Sequence, residues 1–209
     1  IDIKRTLKMI RNPYAAGFSG AIALYVATEV AIYVWMPTLL KEYSGNATWF
    51  ATYALTVFFV LRAGGRFLGA WILTKFSWTS VMAVFSSCIF LCFLGSMLGG
   101  VNYAVFLLPL SGLFMSMIYP TLNSKGISCF NKTEHGSVAG VILFFTAVAA
   151  ALGPLLMGAV GDLFGHVQYG FYLATGFAGL LCAAMMYNWI KNPAEKQLSQ
   201  LDITQYGSH

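Results

Sequence analysis

Charge is what this sequence lacks. Only 9% of its 209 residues are Asp, Glu, Lys or Arg, where a soluble domain carries about 25%. So few charges cannot solvate a large water-facing surface, which excludes a sizeable soluble domain. Strands of about 10 residues with alternating polarity are also missing, which argues against a membrane barrel. Histidine is scarce, 3 in all, and the 4 cysteines show no metal-ligand spacing. Cys88 and Cys92 stand one helical turn apart with no third ligand nearby. With Cys129 and Cys182 they read as small core residues, not as a metal or redox site. His135 and His166 fall between apolar runs, where a solvated role is expected. One deep acid, no deep histidine and no G-x-S-x-G argue against a membrane-embedded enzyme. No catalytic residue, metal site or bound cofactor is therefore expected.

What is present is apolar sequence, 58% of the chain, in runs long enough to cross a membrane. There are six: Ala15–Leu40, Ala47–Leu73, Trp78–Leu98, Tyr103–Ile127, Val138–Val160 and Tyr169–Ile190. The links are short, as suits antiparallel helices in a bundle. The fold class expected is an all-α membrane protein of six transmembrane helices. The first run follows a charged segment and precedes five more spans, unlike a cleaved signal peptide.

The 12 basic residues set the orientation. Lys4, Arg5, Lys8 and Arg11 precede the first span, Lys75 follows the second, Lys125 and Lys132 follow the fourth, and Lys191 and Lys196 follow the sixth. These nine fall on one side of an alternating chain, and the other side has Lys41, balanced by Glu42, and then Asp162. The positive-inside rule puts the basic side, and both termini, in the cytoplasm. Trp35, Trp49, Trp78, Tyr103, Tyr169 and Trp189 mark span ends as interfacial aromatics do. Because the basic residues flank spans, they speak for membrane orientation and against a nucleic-acid partner.

The domain plan expected is residues 1–14 as a basic cytoplasmic linker, 15–190 as the transmembrane unit and 191–209 as a cytoplasmic tail, polar and exposed or mobile. The linker has Ile3, Leu7 and Ile10 at helical spacing, so it either lies on the membrane surface or is a tether from an upstream segment. Asn46-Ala47-Thr48 and Asn131-Lys132-Thr133 match glycosylation sequons. The second is cytoplasmic in this orientation, and the first has meaning only in a eukaryotic host.

Two motifs recur in order. "MPTL" (Met36–Leu39) returns as "YPTL" (Tyr119–Leu122), and "GGRFLGA" (Gly64–Ala70) returns as "GPLLMGA" (Gly153–Ala159). The two offsets are similar and match three spans with their loops. Residues 15–98 and 103–190 thus read as two related three-helix units. Three is odd, so the second copy enters the membrane from the opposite side, the inverted-topology repeat of secondary transporters. Glycines four apart at Gly65/Gly69, Gly95/Gly99 and Gly136/Gly140 allow close helix approach. Pro37, Pro109, Pro120 and Pro154 supply bends near span ends, of use either to static packing or to a bundle that rocks.

"LYVATEVAIYVWMPTLL", "GGRFLGAWILTKF" and "FMSMIYPTLNSKGI" resemble the C-terminal half of the fucose/glucose/galactose–proton symporters of the major facilitator superfamily. The resemblance covers nearly all of residues 15–190, most specifically at "YVATEV", "GRFLG" and "YPT". It implies helices seven to twelve of a twelve-helix transporter that alternates access to a central sugar site. Its setting would be the plasma (inner) membrane, and its coupling ion the proton. The family's coupling carboxylates are placed chiefly in the other half. The first, second, fourth and fifth spans should face the cavity or that half, and the third and sixth should be peripheral.

Glu29 is close to the middle of the first run, where a charge costs roughly 2.5–3.5 kcal/mol. Tyr25, Glu29, Ile32 and Met36 share one helical face, and Tyr33 lies one turn beyond Glu29. Three roles stand open for Glu29: sugar ligand, proton carrier or structural partner of an arginine. Arg62 and Arg66 are four apart in the second span, and a buried arginine stays charged and needs an acceptor. A Glu29–Arg62 pair is expected, the alternatives being pairing with the other half or with helix carbonyls. Arg66, in the "GRF" motif, reads as a gating or structural residue. Tyr119 and Asn123 flank the proline of the fourth span and offer hydrogen bonds to a sugar. Phe144, Phe145 and Thr146 lie either on a cavity face or in plain packing.

The candidate substrate-binding residues are therefore Glu29, Tyr25, Tyr33, Tyr119 and Asn123, and the coupling or gating residues Glu29, Arg62 and Arg66. The function expected is proton-coupled uptake of a monosaccharide. The alternatives are transport of another small polar solute, or a non-transporting scaffold or receptor on the same fold. The partners expected are a sugar, the bilayer, and either a missing N-terminal six-helix half or a second copy. Ile1 in place of Met favours a chain that continues upstream.

Overall fold

The computed structural model describes residues 3–203. The first two residues of the basic segment and the last six of the tail lie outside them. Among the described residues the chain is helical, without strands, and six helices are long and apolar enough to cross a membrane.

The short α1 (Ile3–Met9) leads into α2 (Pro13–Leu40). Asn12 caps α2 by accepting from the Tyr14 and Ala15 amides at 2.9 and 3.4 Å. Pro13 follows at the first position, where its missing N–H costs nothing. The one-turn α3 (Thr48–Thr52) precedes α4 (Ala54–Lys75). The expected second run from Ala47 is thus two helices, parted at Tyr53. Ser77 caps α5 (Trp78–Gly99), and Gly100, at φ 79°, turns the chain straight into α6 (Val101–Met115). The fourth span is broken. It stops at Met115 and resumes as α7 (Ile118–Ser128). Pro120 has no N–H to donate one turn back, and its ring crowds that carbonyl, so a continuous helix is disfavoured there. A 3-10 turn opens α8 (His135–Phe164), which ends at Gly165 in the left-handed conformation. There follow α9 (Val167–Lys191) and the short α10 (Glu195–Leu201).

Packing follows an internal two-fold relation. Pairing the first span with the fourth, the second with the fifth and the third with the sixth maps most major contacts onto one another; the exception is α8 on α9, whose counterpart, α4 on α5, is slight. α2 packs on α8 as α6 packs on α4; α5 packs on α6 as α9 packs on α2; and α5 packs on α9, its own counterpart. This is the architecture of two inverted three-helix repeats.

The repeated glycine motifs fit this packing. A Cβ on Gly69 would clash with Met117, and one on Gly158 would come within 2.9 Å of Trp35. Each glycine admits a side chain from just before the proline of "YPTL" or "MPTL". The first glycine of the motif does not match: Gly64 is open, while Gly65 is the one against Leu113 and Ser116 of the fourth span.

Two expectations are corrected. The tail is not wholly loose, because α10 docks under the fourth span. Ala194 and Leu201 are buried, and Gln197 Nε2 donates to the Cys129 carbonyl at 2.8 Å. His166 is not simply solvated. Its Nδ1 accepts from the Gln168 amide at 3.0 Å as the cap of α9, and its Nε2 meets Glu42 Oε1 at 2.6 Å. That contact ties the end of α2 to the start of α9.

Candidate functional site

The site grows from two helices. α2 carries Tyr25, Glu29 and Tyr33 at four-residue spacing, which stacks them on one face. α4 carries Phe58, Phe59 and Arg62 against the upper part of that face. Glu29 is 7% exposed, and a lone carboxylate so buried would be costly. It is not alone: Arg62 Nη1 lies 2.7 Å from Glu29 Oε1. Tyr33 completes the cluster. Its hydroxyl donates to Glu29 Oε1 and accepts from Arg62 Nη1. The guanidinium carbon also sits 5.9 Å from the Tyr33 ring centroid, within cation–π range. One acid and one base thus cancel in mid-span, with a phenol joining them.

Aromatic rings wall the cluster. Phe59 stacks on Tyr33 with centroids 5.4 Å apart and planes 18° apart, and Phe58 meets Tyr33 edge-on at 5.7 Å. Phe58 is fully buried, whereas Phe59 is 46% exposed. The Arg62 side chain keeps 22% of its surface exposed. Its Nη1 is engaged, so its remaining N–H groups can serve a ligand beside an open ring. The sequence reading passed over Phe59. The available signal was an aromatic three residues before Arg62, on the same helical face.

Tyr25 does not open onto this face. It is fully buried, and its hydroxyl donates to the Met115 carbonyl at 3.1 Å. That carbonyl ends α6 at the break in the fourth span, so Tyr25 satisfies a backbone acceptor there. Tyr119, just beyond the break, has its ring 6.5 Å from that of Tyr25. Tyr119 and Asn123 are partly exposed, and neither side chain is hydrogen-bonded among the described residues. The structure therefore joins Glu29, Tyr33 and Arg62 directly, and links Tyr119 to them through Tyr25.

Arg66 stands apart. It is exposed and makes no ion pair among the described residues, although it lies near the middle of α4. The α4 span is 17% buried and the α8 span 28%, against 67% for α2. Phe144 is exposed on α8, and Phe145 and Thr146 are partly covered; the Thr146 hydroxyl donates to the Ile142 carbonyl at 2.9 Å. No group of three or more metal-ligating side chains occurs among the described residues.

No family model matches the chain. In sequence it is 29% identical over 146 residues to the L-fucose–proton symporter of Escherichia coli (strain K12), covering 68% of this chain and 32% of that protein. It is 28% identical over 166 residues to a provisionally named glucose/galactose transporter of Helicobacter pylori, covering 78% of this chain and 40% of that one. Two crystal structures of the E. coli fucose:proton symporter FucP share its fold at 22% identity. The outward-conformation structure gives a TM-score of 0.75 over 87% of this chain and 44% of FucP. A point variant gives 0.77 over 89% and 45%. The chain spans less than half the length of the proteins it matches. It is a multi-pass membrane protein with the fold of one half of a major facilitator superfamily transporter, and its sequence relatives are sugar transporters.

Proposed function

We propose that the chain is the C-terminal half of a proton-coupled monosaccharide symporter working by alternating access in the inner membrane, with both termini cytoplasmic. The observation that carries the reading is the Glu29–Tyr33–Arg62 cluster, set at mid-span on the first two helices of an inverted-repeat half. Intramembrane charges of this kind mark substrate and ion pathways, and the named functions of the sequence relatives supply the solute class and the proton.

Within the cluster, Glu29 anchors Arg62. Arg62 presents its remaining donors to sugar hydroxyls, Phe59 offers a ring to the sugar's C–H face, and Tyr119 and Asn123 hydrogen-bond from the fourth span. Tyr33 is the positioning link, and Tyr25 holds the broken helix. The other six-helix half covers α4 and α8. Arg66 supports this, since an exposed guanidinium facing lipid at mid-span would cost roughly 2.5–3.5 kcal/mol or more, whereas an acceptor on a facing half would satisfy it. Residues 1–14 serve as the linker between halves and 191–209 as the cytoplasmic tail. The chain performs transport without covalent chemistry and needs no bound cofactor.

Uptake of labelled L-fucose, D-galactose and D-glucose into vesicles holding the full-length protein tests the reading. An inward proton gradient should drive accumulation of at least one of them. Uptake of none, with the protein folded and inserted, would overturn it.

A further inference from the structure

The end of the bundle that carries the basic segments has a groove that the transport reading does not use. It lies between the first turns of α2 and the last turns of α9, and Pro193 and Ala194 close one side. Its volume is about 280 Å3, and Phe18, Ala21, Leu122 and Met185 make its wall apolar. Gly17 lines it too; a Cβ there would meet nothing within 4 Å, so the hollow extends over that residue. Tyr14 and Tyr187 also line it, and Asn188 is its one amide side chain. Asn188 is 9% exposed, and its Nδ2 has no hydrogen-bond partner among the described residues. A buried amide donor left unpaired is costly, and nothing else in this wall needs one.

The surroundings say what fits. Arg11 lies two residues before Pro13, and Lys191 lies between Asn188 and Pro193; both are exposed. Gly17 is about 6 Å, and Ala184 about 10 Å, inside the ends of their helices at 1.5 Å per residue. That depth matches the glycerol and upper methylenes of a leaflet. Basic pockets between transmembrane helices on this side hold anionic headgroups.

We propose that this groove seats one acyl chain of an anionic phospholipid, with the ester carbonyl accepting from Asn188 and the phosphate met by Arg11 and Lys191. The groove is lined by residues distinct from the Glu29 cluster, so the proposal does not rest on the sugar reading.

The test is native mass spectrometry of the full-length protein taken from nanodiscs of mixed phosphatidylcholine and phosphatidylglycerol. The wild type should retain one phosphatidylglycerol. Gly17→Leu, whose side chain fills the hollow, should lose it. Gly20→Leu, at another open position of α2, should keep it. Arg11→Gln should weaken retention roughly five-fold, the weight of one basic residue near an anionic surface. Circular dichroism melts check that the variants fold. The proposal is overturned if the wild type retains no lipid, if Gly17→Leu retains as much as the wild type, or if phosphatidylcholine is kept as well as phosphatidylglycerol.

Discussion

Removing one partner of the Glu29–Arg62 pair should cost more than removing both. Glu29→Gln leaves Arg62 charged at mid-span with a neutral amide at 2.7 Å in place of its counter-ion. Arg62→Met leaves the Glu29 carboxylate, 7% exposed, with the Tyr33 hydroxyl but no counter-ion. Breaking a fully buried pair from one side costs about 3–5 kcal/mol. Arg62 keeps 22% of its side chain exposed, so the lower end, roughly 3 kcal/mol, is the expectation for each single change. The double variant Glu29→Gln/Arg62→Met leaves no orphan charge. A neutral pair of similar volume should recover most of the loss, giving a coupling of about 3 kcal/mol or more between the sites. Thermal melts of the four purified proteins in one detergent read this directly. At about 2–4 °C per kcal/mol for a domain of this size, each single variant should melt roughly 6–12 °C lower, and the double should lie between them and the wild type. Strict additivity, with the double variant losing the sum of the two single shifts, would refute the pair as the reason these charges coexist.

Three further outcomes follow from the geometry. Tyr25→Phe keeps the ring but strands the Met115 carbonyl at the helix break, so a melt should show a loss of about 1–3 kcal/mol. Phe59→Ala should raise the KM for sugar several-fold while leaving the melting temperature nearly unchanged, because the ring is half exposed; an unchanged KM would remove Phe59 from the site. Burial pushes the Cys129 thiol up to about 12, against a smaller opposing pull from Lys125. Only the thiolate reacts, so maleimide at pH 7 should leave Cys129 unmodified in folded protein and label it after denaturation.

Much of this architecture can be read from periodicity and charge. Six apolar runs define six spans because backbone polar groups in a bilayer must be satisfied within helices. Glu29 and Arg62 point to each other because each is otherwise an uncompensated charge at similar depth. Tertiary geometry hides the rest. Tyr25 looks like a cavity residue from its spacing to Glu29, yet its hydroxyl is taken by a carbonyl freed 90 residues away. The break at Ser116–Met117 needs the fold as well as Pro120, for Pro37 and Pro154 lie inside unbroken helices. The close-approach pair Gly65/Gly69 does meet the fourth span, but Gly64, which opens the repeated motif, stays open, because rotation about the axis decides which glycine faces the neighbour. His166 and Glu42 are 124 residues apart, and they meet because α8 runs parallel to α2 and ends beside it. Phe59 shares a helical face with Arg62 by spacing, but its stack on Tyr33 and its open face show only in the fold.

The central claim is that this half belongs to a transporter that moves a sugar with a proton. The most direct measurement is the external pH of a weakly buffered suspension of de-energised cells expressing the full-length protein. Addition of L-fucose, galactose or glucose should make the medium alkaline as protons enter with the sugar, and a protonophore should abolish the signal. Sugar entry with no pH change would contradict the account.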